Sequence, residues 1–166
     1  MKKLLLFSCA ALMTLLCASC HTSKNQNALG YDRSKVEEII AGHDTTILYF
    51  MTSWCQAGQS DFERNLKPYL NKASDTKAIV VVCVGELELV SSLENVAENV
   101  RFFEVPSRNS LPDKIFINKE CKKLLKYYKR VNYVPVRLVC NRHGEILNWN
   151  TDKESDLMYG SIYLFL

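Results

Sequence analysis

Ile47-Leu48-Tyr49-Phe50-Met51-Thr52-Ser53-Trp54-Cys55-Gln56-Ala57-Gly58-Gln59 is the stretch on which the fold turns. An apolar run ends in Trp-Cys, and a polar, helix-forming segment follows. A run apolar on both faces predicts a central buried strand over residues 46–51. A cysteine between such a strand and a helix start stands on a rigid mount. The helix start offers unpaired N–H groups and partial positive charge, and both favour thiolate over thiol. Gly58 stands where a second cysteine would complete a Cys-x-x-Cys pair. A second reading of the same stretch starts the helix later, because Ser60-Asp61-Phe62-Glu63 has the Ser-x-x-Glu form of a capping box. On that reading Cys55 lies in a loop and loses most of the dipole effect.

Upstream, Met1-Lys2-Lys3 is followed by an apolar run over residues 4–16 and by Cys17-Ala18-Ser19-Cys20. The apolar run is too short to span a bilayer, which takes ~20 residues. The pattern reads as a signal peptide over residues 1–19. It resembles a bacterial lipoprotein signal. That resemblance implies lipidation of Cys20, a membrane anchor at that residue, and a place in the bacterial cell envelope facing the periplasm. Residues 20–33 are polar and read as a flexible tether. Residues 34–166 read as one domain.

The chain of 166 residues has a formal net charge of +3. Loss of Lys2 and Lys3 with the signal leaves 3 − 2 = +1. Such a small charge gives no field for nucleic acid. Seven cysteines suggest a disulfide framework. Cys9 and Cys17 leave with the signal, however, and Cys20 is the lipid site. Cys55, Cys83, Cys121 and Cys140 are widely spaced, no two at metal-ligand spacing, and the three histidines are scattered, so no metal is expected. No cofactor is implied.

Ser34-x-x-Glu37 predicts a capped helix ending at Gly42. Phe62, Leu66, Tyr69 and Leu70 make a helical stripe over 61–72, with Pro68 as a kink. Residues 78–84 predict a second fully buried strand. Residues 86–99 read as a helix through Leu89, Leu93, Val96 and Val100, and 101–105 as a short strand. Pro106 to Pro112 reads as a loop. Residues 119–130 read as a basic helix whose inner face carries Cys121, Leu124, Leu125 and Tyr128. Its lysines read as a solvated face. Residues 136–140 and 145–149 form a hairpin about Asn141-Arg142-His143-Gly144. Thr151 to Glu154 caps a last helix. Early alternation gives parallel strands and the late hairpin an antiparallel edge: an α/β class with a central mixed sheet flanked by helices.

Trp54-Cys55 after a strand, and Tyr133-Val134-Pro135-Val136 before a later strand and polar-Gly hairpin, together resemble the thioredoxin-like fold, in particular the envelope proteins of the TlpA/ResA type. The resemblance implies that Cys55 is the nucleophile, that Trp54, Val134 and Pro135 shape a substrate groove, and that the Val134-Pro135 bond is cis. It implies protein or small-molecule thiols and disulfides as partners. The sequence departs from the family in two places. Gly58 replaces the resolving cysteine, and Tyr49 stands where the family has a buried acid. In the fold's strand order, strand 46–51 lies between 78–84 and 136–140. Cys83 and Cys140 then sit two strands apart, about 9–10 Å, beyond disulfide reach. Cys83, Cys121 and Cys140 read as buried hydrophobes. Three functions remain open on the sequence: a monothiol exchange protein, an inactive peptide-binding module, and, from Thr52-x-x-Cys55, a single-cysteine peroxiredoxin-like peroxidase.

Overall fold

The computed structural model describes residues 28–88, 92–106, 113–126 and 131–150. The signal segment, Cys20 and the expected last helix lie outside them. In chain order the elements are β1 (Leu29–Gly30), α1 (Arg33–Gly42), β2 (Thr45–Thr52), α2 (Gln56–Asp61), β3 (Lys77–Val84), β4 (Val100–Val105), α3 (Asp113–Leu125), β5 (Val136–Asn141) and β6 (Ile146–Asn150). One six-stranded sheet has the order β1-β4-β3-β2-β5-β6. β1, β4, β3 and β2 pair in parallel, whereas β5 runs antiparallel to β2 and β6 antiparallel to β5. This is a thioredoxin-like fold, with the central strand where the apolar run placed it.

β2 and β3 are apolar along their length because both of their faces are covered. Leu48, Phe50, Val80, Val82, Phe103 and Leu138 meet Val36 and Ile40 of α1 and Ile117, Cys121 and Leu124 of α3. Ile47, Tyr49, Met51, Ile79, Val81 and Val139 meet Phe62, Leu66 and Leu70 on the other face. Each such side chain contributes roughly 1.5–3 kcal/mol on full burial, so two filled faces hold the sheet rigid under whatever its strand ends carry.

Several expectations give way to better local chemistry. Asp32, not Ser34, caps α1: its carboxylate accepts from the Ser34 N–H at 3.0 Å. The Ser34 hydroxyl donates to the same carboxylate at 2.7 Å, so Ser34 supports the cap instead of forming it. Residues 29–33, read as tether, join the fold, since Leu29 and Gly30 pair with Phe103 and Glu104. Tyr31 and Arg33 then latch onto Glu120. Arg33 donates from Nε and Nη2 at 2.6 Å each, and the Tyr31 hydroxyl donates at 2.7 Å. Burial pushes the Glu120 carboxyl up, but the Arg33 and Tyr31 hydrogen bonds outweigh it and hold the carboxyl below its usual range.

The segment read as a helix over 86–99 forms no α-helix in its described residues, of which only Glu88 and Ser92 take 3₁₀ geometry. Asn95 takes a φ of 56°, a left-handed geometry that interrupts any helix. Leu93 and Val96 still pack on the sheet, so the apolar spacing reported burial rather than helix. α3 begins at Asp113 and ends at Leu125, earlier at both ends than expected. Its inner residues Cys121, Leu124 and Leu125 are buried, and Tyr128 lies outside the described residues.

Candidate functional site

The Ser60 capping box does not start the helix. α2 begins at Gln56, with Cys55 as its N-cap residue in extended geometry (φ −87°, ψ 101°). The Gln59 N–H donates to the Cys55 carbonyl at 3.0 Å, which closes the first turn. The helical path continues as a π turn, Phe62–Leu66, and a 3₁₀ turn, Lys67–Tyr69, with Pro68 opening the latter. Cys55 therefore stands at the start of the helical segment, and the loop reading falls.

Three contacts fix the Ser53-Trp54-Cys55 turn. The Ser53 N–H donates to the Val84 carbonyl at 3.0 Å, and the Gln59 side-chain amide donates to the Ser53 carbonyl at 2.5 Å. Trp54, 66 % exposed, is held by its indole N–H donating to Asp113 at the start of α3, at 2.5 Å. Gly85 lies behind the turn at φ 104°, and a Cβ there would collide with Ser53 Oγ and Cβ. That position requires glycine on both counts.

The antiparallel register brings the second part. Phe50 pairs with Val136, so the residues just before β5 arrive beside the end of β2. The Val134-Pro135 bond is cis. Cys55 Sγ points at the Val134 carbonyl, 3.9 Å away. Trp54, Cys55, Val134, Pro135 and Gly58 are thus gathered at one end of the sheet, and Cys20 lies outside the described residues. A Cβ on Gly58 would lie 3.7 Å from Cys55 Cβ and 3.8 Å from its Sγ. A side chain at position 58 would therefore face the Cys55 sulfur in ordinary contact.

The sulfurs divide sharply. Among the described residues Cys55 is half-buried, and Cys83, Cys121 and Cys140 are buried free thiols. Burial pushes each of those three up to about 12, helped at Cys83 by the Glu104 and Asp113 carboxylates and at Cys121 by Glu120. They are protonated and inert at neutral pH. Cys83 pairs with Met51 at the site's end of the sheet, and Cys140 with Thr46 at the far end.

Beneath the helix start lies a buried polar cluster. The Tyr49 hydroxyl lies 2.7 Å from Asp61 Oδ2 and 3.1 Å from the Gly58 carbonyl. Its one proton goes to the carboxylate, the closer and charged acceptor. Asp61 also accepts from Asn65 at 2.9 Å and pairs with Arg137 Nη2. Arg137 is the cross-strand partner of Tyr49, and its side chain is 2 % exposed. A buried helix carboxylate is thus held by an arginine from β5, a tyrosine from β2 and an asparagine of its own helical segment. In the sequence Asp61 stands only as an unassigned position inside the Ser60-x-x-Glu63 box. The available signal was Arg137 itself, a charge inside the apolar run Val136-Arg137-Leu138-Val139, which demands a buried partner.

A cleft of about 940 Å³ flanks Trp54, lined by Met51, Ser53, Gln59, Gly85, Glu86 and Glu104 among others. Neither Cys55 nor Pro135 lines it. Among the described residues no group of His, Cys, Asp and Glu could hold a metal ion.

Fold and site define a thioredoxin-fold protein with a single cysteine at the strand–helix junction facing a cis-proline. No family model matches the chain, and no curated protein matches it. Among solved structures, an exposed lipoprotein thioredoxin from Streptococcus pneumoniae is similar at TM-score 0.46 and 16 % identity, over 82 % of this chain and 96 % of that one. A thioredoxin-family thiol:disulfide interchange protein from Chlorobium tepidum gives 0.47 and 12 %, over 77 % and 82 %. A thiol:disulfide interchange protein from a Bacteroides species gives 0.43 and 16 %, over 78 % and 76 %.

Proposed function

We propose that this chain is an envelope-anchored, thioredoxin-fold protein that exchanges thiols and disulfides through Cys55 alone. The observation that carries the reading is the placement of Cys55: half-buried, at the start of the helical segment, with Sγ 3.9 Å from the carbonyl that precedes cis-Pro135. The Cys55 thiolate attacks one sulfur of a disulfide R–S–S–R′. The Cys55–S–S–R bond forms, the old S–S bond breaks, and R′–S⁻ leaves and takes a proton from water. Gly58 offers no sulfur, so the mixed disulfide persists until an external thiolate, of a small glutathione-like thiol or of a protein, attacks it. The Val134 carbonyl gives an extended peptide a strand-like acceptor beside the sulfur.

Anchoring rests on residues 1–20 and their lipoprotein-like pattern. Incorporation of labelled fatty acid in cells tests it: the wild type takes up label, and Cys20→Ser does not. Label in both, or in neither, removes that part of the reading.

A second reading keeps the groove without the chemistry, as a peptide-binding module. The exposed Trp54 ring, pinned by Asp113, favours it as a docking surface. Ellman's reagent separates the two. The exchange reading expects one prompt equivalent of thiolate released by the native chain with residues 1–19 removed and Cys20 lipidated or replaced by serine, lost in Cys55→Ser. If native Cys55 reacts no faster than the three buried cysteines, the binding module is the better account.

A further inference from the structure

α3 is basic on its outward side only. Lys114, Ile115, Lys119, Lys122 and Lys123 are exposed, and no acidic residue of the helix is. Its two carboxylates are turned elsewhere: Glu120 is buried on Arg33 and Tyr31, and Asp113 holds Trp54. A shallow groove of about 670 Å³ runs along this face, with Lys114, Lys119 and Lys122 around Ile115 and Val131. Ile115 is 49 % exposed. α1, on the same side of the sheet, presents Lys35 with Glu37 and Glu38, so its exposed charge is mixed where that of α3 is positive.

The chain enters the fold against this helix. Tyr31 packs edge-on to Phe116 at 5.4 Å and donates to Glu120. The outward face therefore lies one helix diameter, about 10–12 Å, from the latch. Eight residue-to-residue steps lead from Cys20 to Ala28 (28 − 20). A chain of that length reaches at most about 28 Å, so an anchor at Cys20 keeps the entry point near the bilayer.

We propose that the outward face of α3 docks on anionic lipid headgroups, the lysines pairing with phosphates and Ile115 dipping to the acyl boundary. This rests on the reading of a membrane anchor near Cys20. Docking would turn α3 toward the bilayer and leave the opposite face of the sheet open to solvent. Lysines near an anionic surface are held by charge within a Debye length, so the contact is salt-sensitive.

The test uses the full chain reconstituted on two kinds of vesicle, pure phosphatidylcholine and phosphatidylcholine with about one third phosphatidylglycerol. Flotation reports anchoring. Lysine acetylation, read by peptide mass spectrometry, reports the face, with Lys72 at the far side of the sheet as the internal standard. The expected result is flotation with both vesicles, and acetylation of Lys114, Lys119 and Lys122 at least about five-fold slower on the anionic ones, restored at about 1 M salt. Flotation with both and equal reactivity on both leaves the anchor standing and overturns the docking face. Flotation with neither overturns both readings. Protection by soluble polyglutamate but not by anionic vesicles assigns the face to an acidic protein partner and overturns the lipid.

Discussion

Gly58→Cys converts the site into a dithiol if the geometry at Cys55 is right, and the size of the effect follows from two distances. A Cβ at position 58 lies 3.7 Å from Cys55 Cβ and 3.8 Å from Cys55 Sγ. Native disulfides have Cβ atoms about 3.8 Å apart, so the bond needs no backbone movement. Its nearest other neighbour is Met51 Cβ at 3.9 Å, which is ordinary contact. The loop it closes is Cys55-Gln56-Ala57 and position 58, about four residues, for which the chain-entropy relation gives about 1.9 kcal/mol at 25 °C. Replacing a helical glycine adds a few tenths of a kcal/mol. For a chain of this size about 2 kcal/mol raises Tm by about 4–8 °C. The assay is mild oxidation, mass spectrometry of the peptide spanning positions 55–58 for loss of two hydrogens, and melting with and without reductant. The variant is also expected to reduce insulin disulfides with turnover when a reductant is supplied, whereas the wild type accumulates mixed disulfide. Failure of the two sulfurs to join in the folded protein, or a bond that lowers Tm, refutes the placement of Cys55 and position 58 on one helical turn.

Other expectations concern what holds the turn. Asp61→Ala leaves Arg137 buried without its carboxylate, at a cost of about 3–5 kcal/mol; chemical denaturation checks it, and a loss under about 1 kcal/mol contradicts the buried pair. Gly85→Ala forces a side chain into left-handed geometry and onto Ser53, for about 2–5 kcal/mol in sum, and should slow Cys55 alkylation; an unchanged melt sinks it. The buried thiols Cys83, Cys121 and Cys140 are pushed up to about 12, against about 8.5 unfolded. Between those values the unfolded chain binds fewer protons, so stability is full below about pH 8.5 and falls toward pH 12, by up to about 1.4 kcal/mol per pH unit per thiol. Urea melts from pH 7 to 11 read this, and a flat profile contradicts the burial. The Glu120 carboxyl, held low by Arg33 and Tyr31, adds stability present above its unfolded value near 4.3 and lost as pH falls below it. Glu120→Gln should flatten that acid limb.

The central strand and the hairpin were legible because each is local: an apolar run of strand length and a polar-Gly turn. The strand order and the cis bond before Pro135 followed only from the resemblance that Trp54-Cys55 and Val134-Pro135 carry. The 86–99 segment was not. Leu93 and Val96 carry a spacing that fits a helix and also fits an irregular chain laid on a sheet, and periodicity alone does not separate them. The competing Ser60 box was a true local signal outvoted by tertiary structure, since Phe62 and Leu66 need the preceding turn helical to reach Ile47 and Tyr49. Asp61 and Arg137 lie far apart in sequence, and only the pairing of β5 with β2 joins them through Tyr49. The site's thiol could be read from the sequence; the buried charge pair beneath it could not.

The most direct test of the central claim is incubation of the native full chain with oxidised glutathione, followed by peptide mass spectrometry. The account predicts a glutathione mixed disulfide at Cys55, absent from Cys83, Cys121 and Cys140 until the protein is unfolded, and removed by added thiol. A Cys55 that stays unmodified in the native protein while the denatured chain reacts would contradict it.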